Sequence, residues 1–108
     1  MGQKGCPIEA AVNILEGKWT LLILRELFTG TRRFGQLRSA LSGVSPKTLS
    51  ERLRILEQQG IVERKLYPEI PPRVEYSLTE LGKTLSPIIE SLRDWGTQWA
   101  DQVLTVAD

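Results

Sequence analysis

Apolar residues recur at helical spacing in four successive stretches of this chain, alternate with polar ones in two more, and return to helical spacing at the end. In CPIEAAVNILEG, Pro7 suits a first helical position, Ile8, Ala11, Val12 and Leu15 share one face, and Gly17 is a stop. KWTLLILRELFTG carries Trp19, Leu22, Ile23, Glu26 and Leu27 in one register and ends at Gly30. It is apolar around most of its circumference, which predicts a central helix. TRRFGQLRSALSG marks a face with Phe34, Leu37 and Leu41 before Gly43, a third and short helix. Ser45 is then placed to cap, and Pro46 to open, a fourth helix whose stripe is Leu49, Leu53 and Leu56 and whose end is Gly60. Only a few residues containing Gly43 part the third and fourth helices, the spacing of a helix-turn-helix.

IVERKLY and RVEYSL read as two strands, with Val74, Tyr76 and Leu78 alternating with Glu75 and Ser77. The YPEIPPR between them brings three prolines and few hydrogen-bond donors, which predicts a hairpin with a stiff tip. Thr79 is placed to cap a last helix, with Glu80 against the positive end of its dipole. Along that helix Leu81, Leu85, Ile88, Leu92, Trp95 and Trp99 follow steps of four, three, four, three and four, a heptad stripe outside the compact unit. Such a stripe usually needs a facing helix, so the pattern favours a partner helix over docking onto its own chain. Pro87 inside it predicts a kink.

The elements sum to one mainly α domain over residues 1–108 with a small β-hairpin, an α+β chain. The helix-turn-helix falls at about 35–59, the hairpin at about 61–78 and the C-terminal helix at about 79–104. Composition adds exclusions. No apolar run approaches the length that spans a bilayer, so no membrane partner is expected. Residues 1–6, MGQKGC, lack the apolar core of a signal peptide, and a single cysteine cannot supply a disulfide framework, so a reducing cytoplasm is the expected compartment. The chain has no histidine, which removes the commonest general base and the commonest zinc ligand together. With no phosphate-cradling glycine loop and no nucleophile elbow either, neither an enzyme, a metal nor a cofactor is expected.

Net charge is only +1, but its distribution is uneven. Residues 30–78 hold nine lysines and arginines against five glutamates, whereas residues 79–108 hold two cations against five acids. That asymmetry suits a chain in which one segment meets phosphates and another does something else. On the fourth helix, about 100° per residue sets Leu49, Leu53 and Leu56 on one side and Lys47, Glu51, Arg54 and Gln58 on the other, with Thr48 and Ser50 flanking. Such a helix fits the major groove of B-form DNA. Lys47 and Arg54 suit guanine, Thr48 and Ser50 suit phosphate or base, and Glu51 suits cytosine. Arg32 and Arg33, at the expected start of the third helix, suit phosphate, because free backbone donors there favour an anion. Arg64, Lys65 and Arg73 lie on the hairpin, and an arginine at a stiff tip suits a narrow minor groove. Each cation alone is equally an ordinary solvated side chain; their grouping around one helix-turn-helix and one hairpin carries the reading.

CPIEAAVNILEGKWTLLIL at the front, RRFGQLRSALSGVSPKTLSERLRILEQQGIVERKLYPEIPPRVEYSLTELG in the middle and LRDWG near the end resemble the winged-helix regulators of the HxlR type, relatives of the MarR group. The resemblance implies a winged helix-turn-helix fold and a homodimer built from N- and C-terminal helices. It also implies a recognition helix at residues 45–59, Ser45 included, and a wing at 67–73. Ile8, Val12, Leu85, Ile88, Leu92, Trp95 and Trp99 would then be dimer contacts, and double-stranded DNA the partner. Half-sites of a pseudo-palindromic operator should lie about one helical turn, roughly 34 Å, apart.

Cys6 directly precedes Pro7, so its sulfur would sit near free amide donors and a positive dipole end, conditions that favour a thiolate. Several regulators of the HxlR type use a cysteine at this place to sense electrophiles or oxidants, and this chain resembles them in having CP before helix one. This chain lacks the C-terminal cysteines of some of them, which leaves alkylation, a mixed disulfide or a Cys6–Cys6 link. A quiet, partly buried thiol is the alternative. For the whole chain the alternatives are a winged-helix protein-interaction module without DNA binding, and a regulator controlled by a small molecule of unknown identity at the subunit interface, with Trp95 and Trp99 as pocket walls.

Overall fold

The computed structural model describes residues 5–107, so part of the signal-peptide argument, residues 1–4, lies outside the described residues. The elements run α1 (Pro7–Leu15), α2 (Thr20–Phe28), β1 (Arg32–Arg33), α3 (Phe34–Ala40), α4 (Pro46–Gln58), β2 (Val62–Tyr67), β3 (Arg73–Leu78), α5 (Glu80–Lys83) and α6 (Ser86–Ala107). The chain is mostly helical with a small antiparallel sheet, the α+β class that its patterning predicts.

α2 is central. Ile23, Leu24 and Leu27 are buried against Leu37 and Leu41 after α3's start, the α4 stripe Leu49, Leu53 and Leu56, and Val62 and Leu78 of the sheet. Removing each such side chain from water stabilises the fold by about 1.5–3 kcal/mol, and this one cluster unites α2, α3, α4 and the hairpin root. The link between α3 and α4 turns at Gly43, whose φ of 95° lies where side-chain-bearing residues are strained.

The sheet holds a strand the patterning does not reveal. Its order is β1-β3-β2, with Arg32 opposite Tyr76 and Arg33 opposite Glu75. Arg32 and Arg33 therefore precede α3 as extended backbone rather than opening it. β2 and β3 pair from Val62 opposite Leu78 out to Tyr67 opposite Arg73, so the hairpin extends well beyond the core.

The last helix is two helices. Thr79 caps α5 through a hydrogen bond that its Oγ1 accepts from Gly82 N at 3.0 Å, but α5 stops at Lys83. A proline at 87 cannot donate to the Lys83 carbonyl, and its ring would collide with it. The chain breaks there, and Pro87 becomes the second residue of α6, where no donor is needed, instead of a kink inside a longer helix. α5 is locked on the sheet root by close approach at Gly82: a Cβ there would stand 2.3 Å from the Ile61 carbonyl oxygen.

α1 and α6 are attached weakly to this body. No residue of α1 is buried, and among the described residues Ile89 is the buried core residue that α6 contributes. The radius of gyration, 15.7 Å, exceeds the roughly 13 Å of a compact domain of this size, and the extents of 52 × 38 × 23 Å show an elongated particle.

Candidate functional site

α4 is the element with one face in the core and one in water. Pro46 takes its first position, and Ser45 Oγ accepts from Thr48 N at 3.1 Å, filling an otherwise unpaired donor. Ser45 Oγ also donates to Thr48 Oγ1 at 3.0 Å, so both hydroxyls belong to the cap, with Ser45 exposed and Thr48 half-buried. Lys47, Ser50, Glu51, Arg54 and Gln58 are all exposed. Among the described residues neither Lys47 nor Arg54 forms an ion pair, so both charges are available to an outside anion. Arg52 differs: it is half-buried, and a Cβ on Gly17 would meet its Nη1 at 3.4 Å, which places it against the turn before α2.

The other expected cations are placed unevenly. Arg32 Nη1 donates to the Thr31 carbonyl at 3.0 Å, and its Nη2 reaches Thr29 Oγ1. Arg33 is exposed beside the first turn of α3, and its N–H is taken by Gln36 Oε1 at 2.8 Å. Arg33 thus has its own backbone donor filled as the N-cap residue of α3. Arg64 and Lys65 are exposed on β2, Lys65 Nζ lying 5.2 Å from the Tyr67 ring centre.

Arg73 is not the free tip arginine that its position suggests. Its Nη2 and Nε donate to Glu69 Oε2 at 2.8 Å and Oε1 at 3.3 Å, its Nη1 donates to Glu75, and its guanidinium lies 3.9 Å from the centre of the Tyr67 ring. The hydrogen bonds from Arg73 hold the Glu69 carboxyl below its ordinary value, and those to Glu69 push the guanidinium higher still. Glu75 shares a strand face with Arg73 two residues along β3, whereas Glu69 reaches it across the loop, which the patterning does not show.

A second surface is apolar. Ile8 and Val12 of α1 and Ile88, Leu92, Trp95, Trp99, Val103 and Leu104 of α6 are exposed apolar side chains, Ile8 at 73% and Trp95 at 56%. Leu85, before α6, is half-buried against the core. Ile8, Ala11, Val12, Ile88 and Leu92 line an apolar groove where α1 meets α6. Cys6 is exposed at the N-cap of α1, its carbonyl accepting from Ala10 N at 3.0 Å. Among the described residues no helix is long and apolar enough to cross a membrane.

A capped helix presented across a turn from α3, with a protruding hairpin beside it, defines a winged helix-turn-helix protein. The chain belongs to the HxlR-like helix-turn-helix family, whose pattern matches residues 14–104. It is 54% identical over 97 residues to an uncharacterised HTH-type transcriptional regulator of Synechocystis sp., covering 90% of this chain and 72% of that one. Among solved structures it superposes on the redox regulator HypR in its reduced form with a TM-score of 0.88 and 36% identity, covering 93% of this chain and 99% of that one. For HypR in its oxidised form the TM-score is 0.82 and the identity 39%, covering 86% and 96%. The protein is a transcriptional regulator of the helix-turn-helix type, not an enzyme.

Proposed function

We propose that the protein binds double-stranded DNA sequence-specifically in the cytoplasm as a homodimer on a pseudo-palindromic operator. α4 enters the major groove, with Lys47, Ser50, Glu51 and Arg54 toward base edges and Ser45 and Thr48 at its capped end. Arg32, Arg33, Arg64 and Lys65 meet phosphates, and Arg73 acts by shaping the wing. The observation that carries this reading is the outer face of α4, where Lys47 and Arg54 stand exposed without an acidic partner among the described residues. The apolar residues of α1 and α6 form the subunit contact, because a face of that size left in water is costly.

Selection of bound sequences from a random duplex pool tests it. An operator with twofold symmetry and a roughly thousandfold loss of affinity between about 50 and 200 mM salt are the expected results. Arg54→Glu should abolish duplex binding while leaving the fold intact. Unchanged binding would favour a protein-interaction module instead.

A redox role for Cys6 is a second part of the reading, supported by the exposed thiol at the start of α1 and by likeness to a regulator described as redox-responsive. Alkylation or a mixed disulfide at Cys6, beside the α1–α6 contact, would alter subunit geometry and so operator affinity. Cys6→Ser should leave binding intact and remove its response to an electrophile or oxidant.

A further inference from the structure

The loop joining β2 and β3 is Pro68, Glu69, Ile70, Pro71 and Pro72, and it ends in the most outlying apolar side chain of the hairpin: Ile70 is 102% exposed. Three of these five residues have no backbone N–H, and the ring of each fixes one torsion, so the tip is stiff and poor in donors. Its nearest cation, Arg73, is committed to Glu69, Glu75 and Tyr67. The tip therefore offers no free positive charge with which to enter a groove, and its polar chemistry is used internally. What it projects is a branched hydrocarbon.

We propose that Ile70 is an apolar wedge for the minor groove flanking the sequence that α4 reads, a proposal that rests on the duplex-binding role of α4. Three observations select a duplex as the occupant. Arg64 and Lys65 are exposed on β2, behind the tip, and complement the phosphates that border a minor groove. The Arg73 guanidinium offsets one of the two carboxylate charges, Glu69 and Glu75, beside the tip, which lessens their repulsion of those phosphates. The stiff loop holds the side chain outward before contact, so little ordering entropy opposes insertion. Aliphatic side chains pack against sugar walls and base edges in a groove about 6 Å wide, and they act there as wedges at base steps. The wing tip is thus a shape-reading device, and the Ile70 contact itself is insensitive to salt because no counterion is released by a neutral side chain.

Ile70→Ser tests this against the selected operator, in duplexes whose wing-flanking pairs are either G·C or inosine·C; the latter lacks the guanine amino group in the minor groove and leaves the major groove unchanged. The wild-type chain should bind the inosine duplex more tightly. Ile70→Ser should bind roughly tenfold more weakly, with the same dependence on salt and with no preference between flanks. Its thermal midpoint should match the wild type, since the removed group lies wholly in solvent. Wild-type affinity in Ile70→Ser, or a retained preference for inosine flanks, overturns the proposal. So does a variant that binds DNA normally but loses a protein partner, which would assign the tip to that partner. Arg54→Glu in the same assay separates the two levels: if it too binds normally, the reading of α4 fails rather than the wedge alone.

Discussion

At Gly82 the chain leaves no room for any side chain. A methyl group would press on the Ile61 carbonyl oxygen at 2.3 Å and on Leu78 Cδ2 at 3.1 Å, and the first of these is backbone that cannot swing aside. Gly82→Ala should therefore lower stability by about 3 kcal/mol, read as a shift of the urea midpoint. The same scale separates cations that look alike in the sequence. Lys47 and Arg54 stand free because the α4 stripe alternates cleanly with polar positions, and their exposure was legible from helical periodicity alone. Arg73 is clamped, and of its partners only Glu75, two residues along β3, lies at a spacing the sequence shows. Glu69 comes within reach only because the loop folds back, and Tyr67 only because β2 and β3 pair in a register that sets it opposite Arg73.

Among the elements, α4 follows local signals throughout. Ser45 caps it, Pro46 opens it and the leucines bury one face, so its bounds nearly coincide with the expected ones. β1 is illegible for the opposite reason: two arginines carry no strand pattern, and their pairing depends on Tyr76 and Glu75, more than forty residues away. The division of the last helix was obscured by Leu81 and Leu85, which keep the heptad phase across a break that the proline geometry imposes. The wing makes a prediction of its own. Because Glu69 is held below its ordinary value of 4.5, chiefly by hydrogen bonding from Arg73, the clamp's contribution is complete above that pH. It is lost as the pH falls through the lowered value. Ring-current-shifted NMR signals of Arg73 over Tyr67 should be constant near neutrality and disappear in that acid range. In Glu69→Gln this acid step should be absent.

For the molecule as a whole, the exposed apolar ridge of α1 and α6 is the surface on which the proposed homodimer rests. α6 is about 33 Å long at 22 residues, and it buries little against its own body while presenting two tryptophans to solvent. Trp95→Glu should leave the helix-turn-helix folded, convert a two-copy species into single chains in sedimentation, and weaken operator binding by a hundredfold or more, on the order of what losing the second half-site implies. The heptad stripe made this ridge legible, although Leu81 falls on α5 and the exposed apolar side chains described on α6 run on past the stripe to Val103 and Leu104. If the ridge closes against a second copy, as proposed, gene control gains a further property. When chains are scarce and pair only weakly, the supply of competent pairs grows with the square of their number, so halving expression cuts promoter occupancy to about a quarter rather than a half. An agent that loosens α1 from α6 would move that threshold without touching a single base contact.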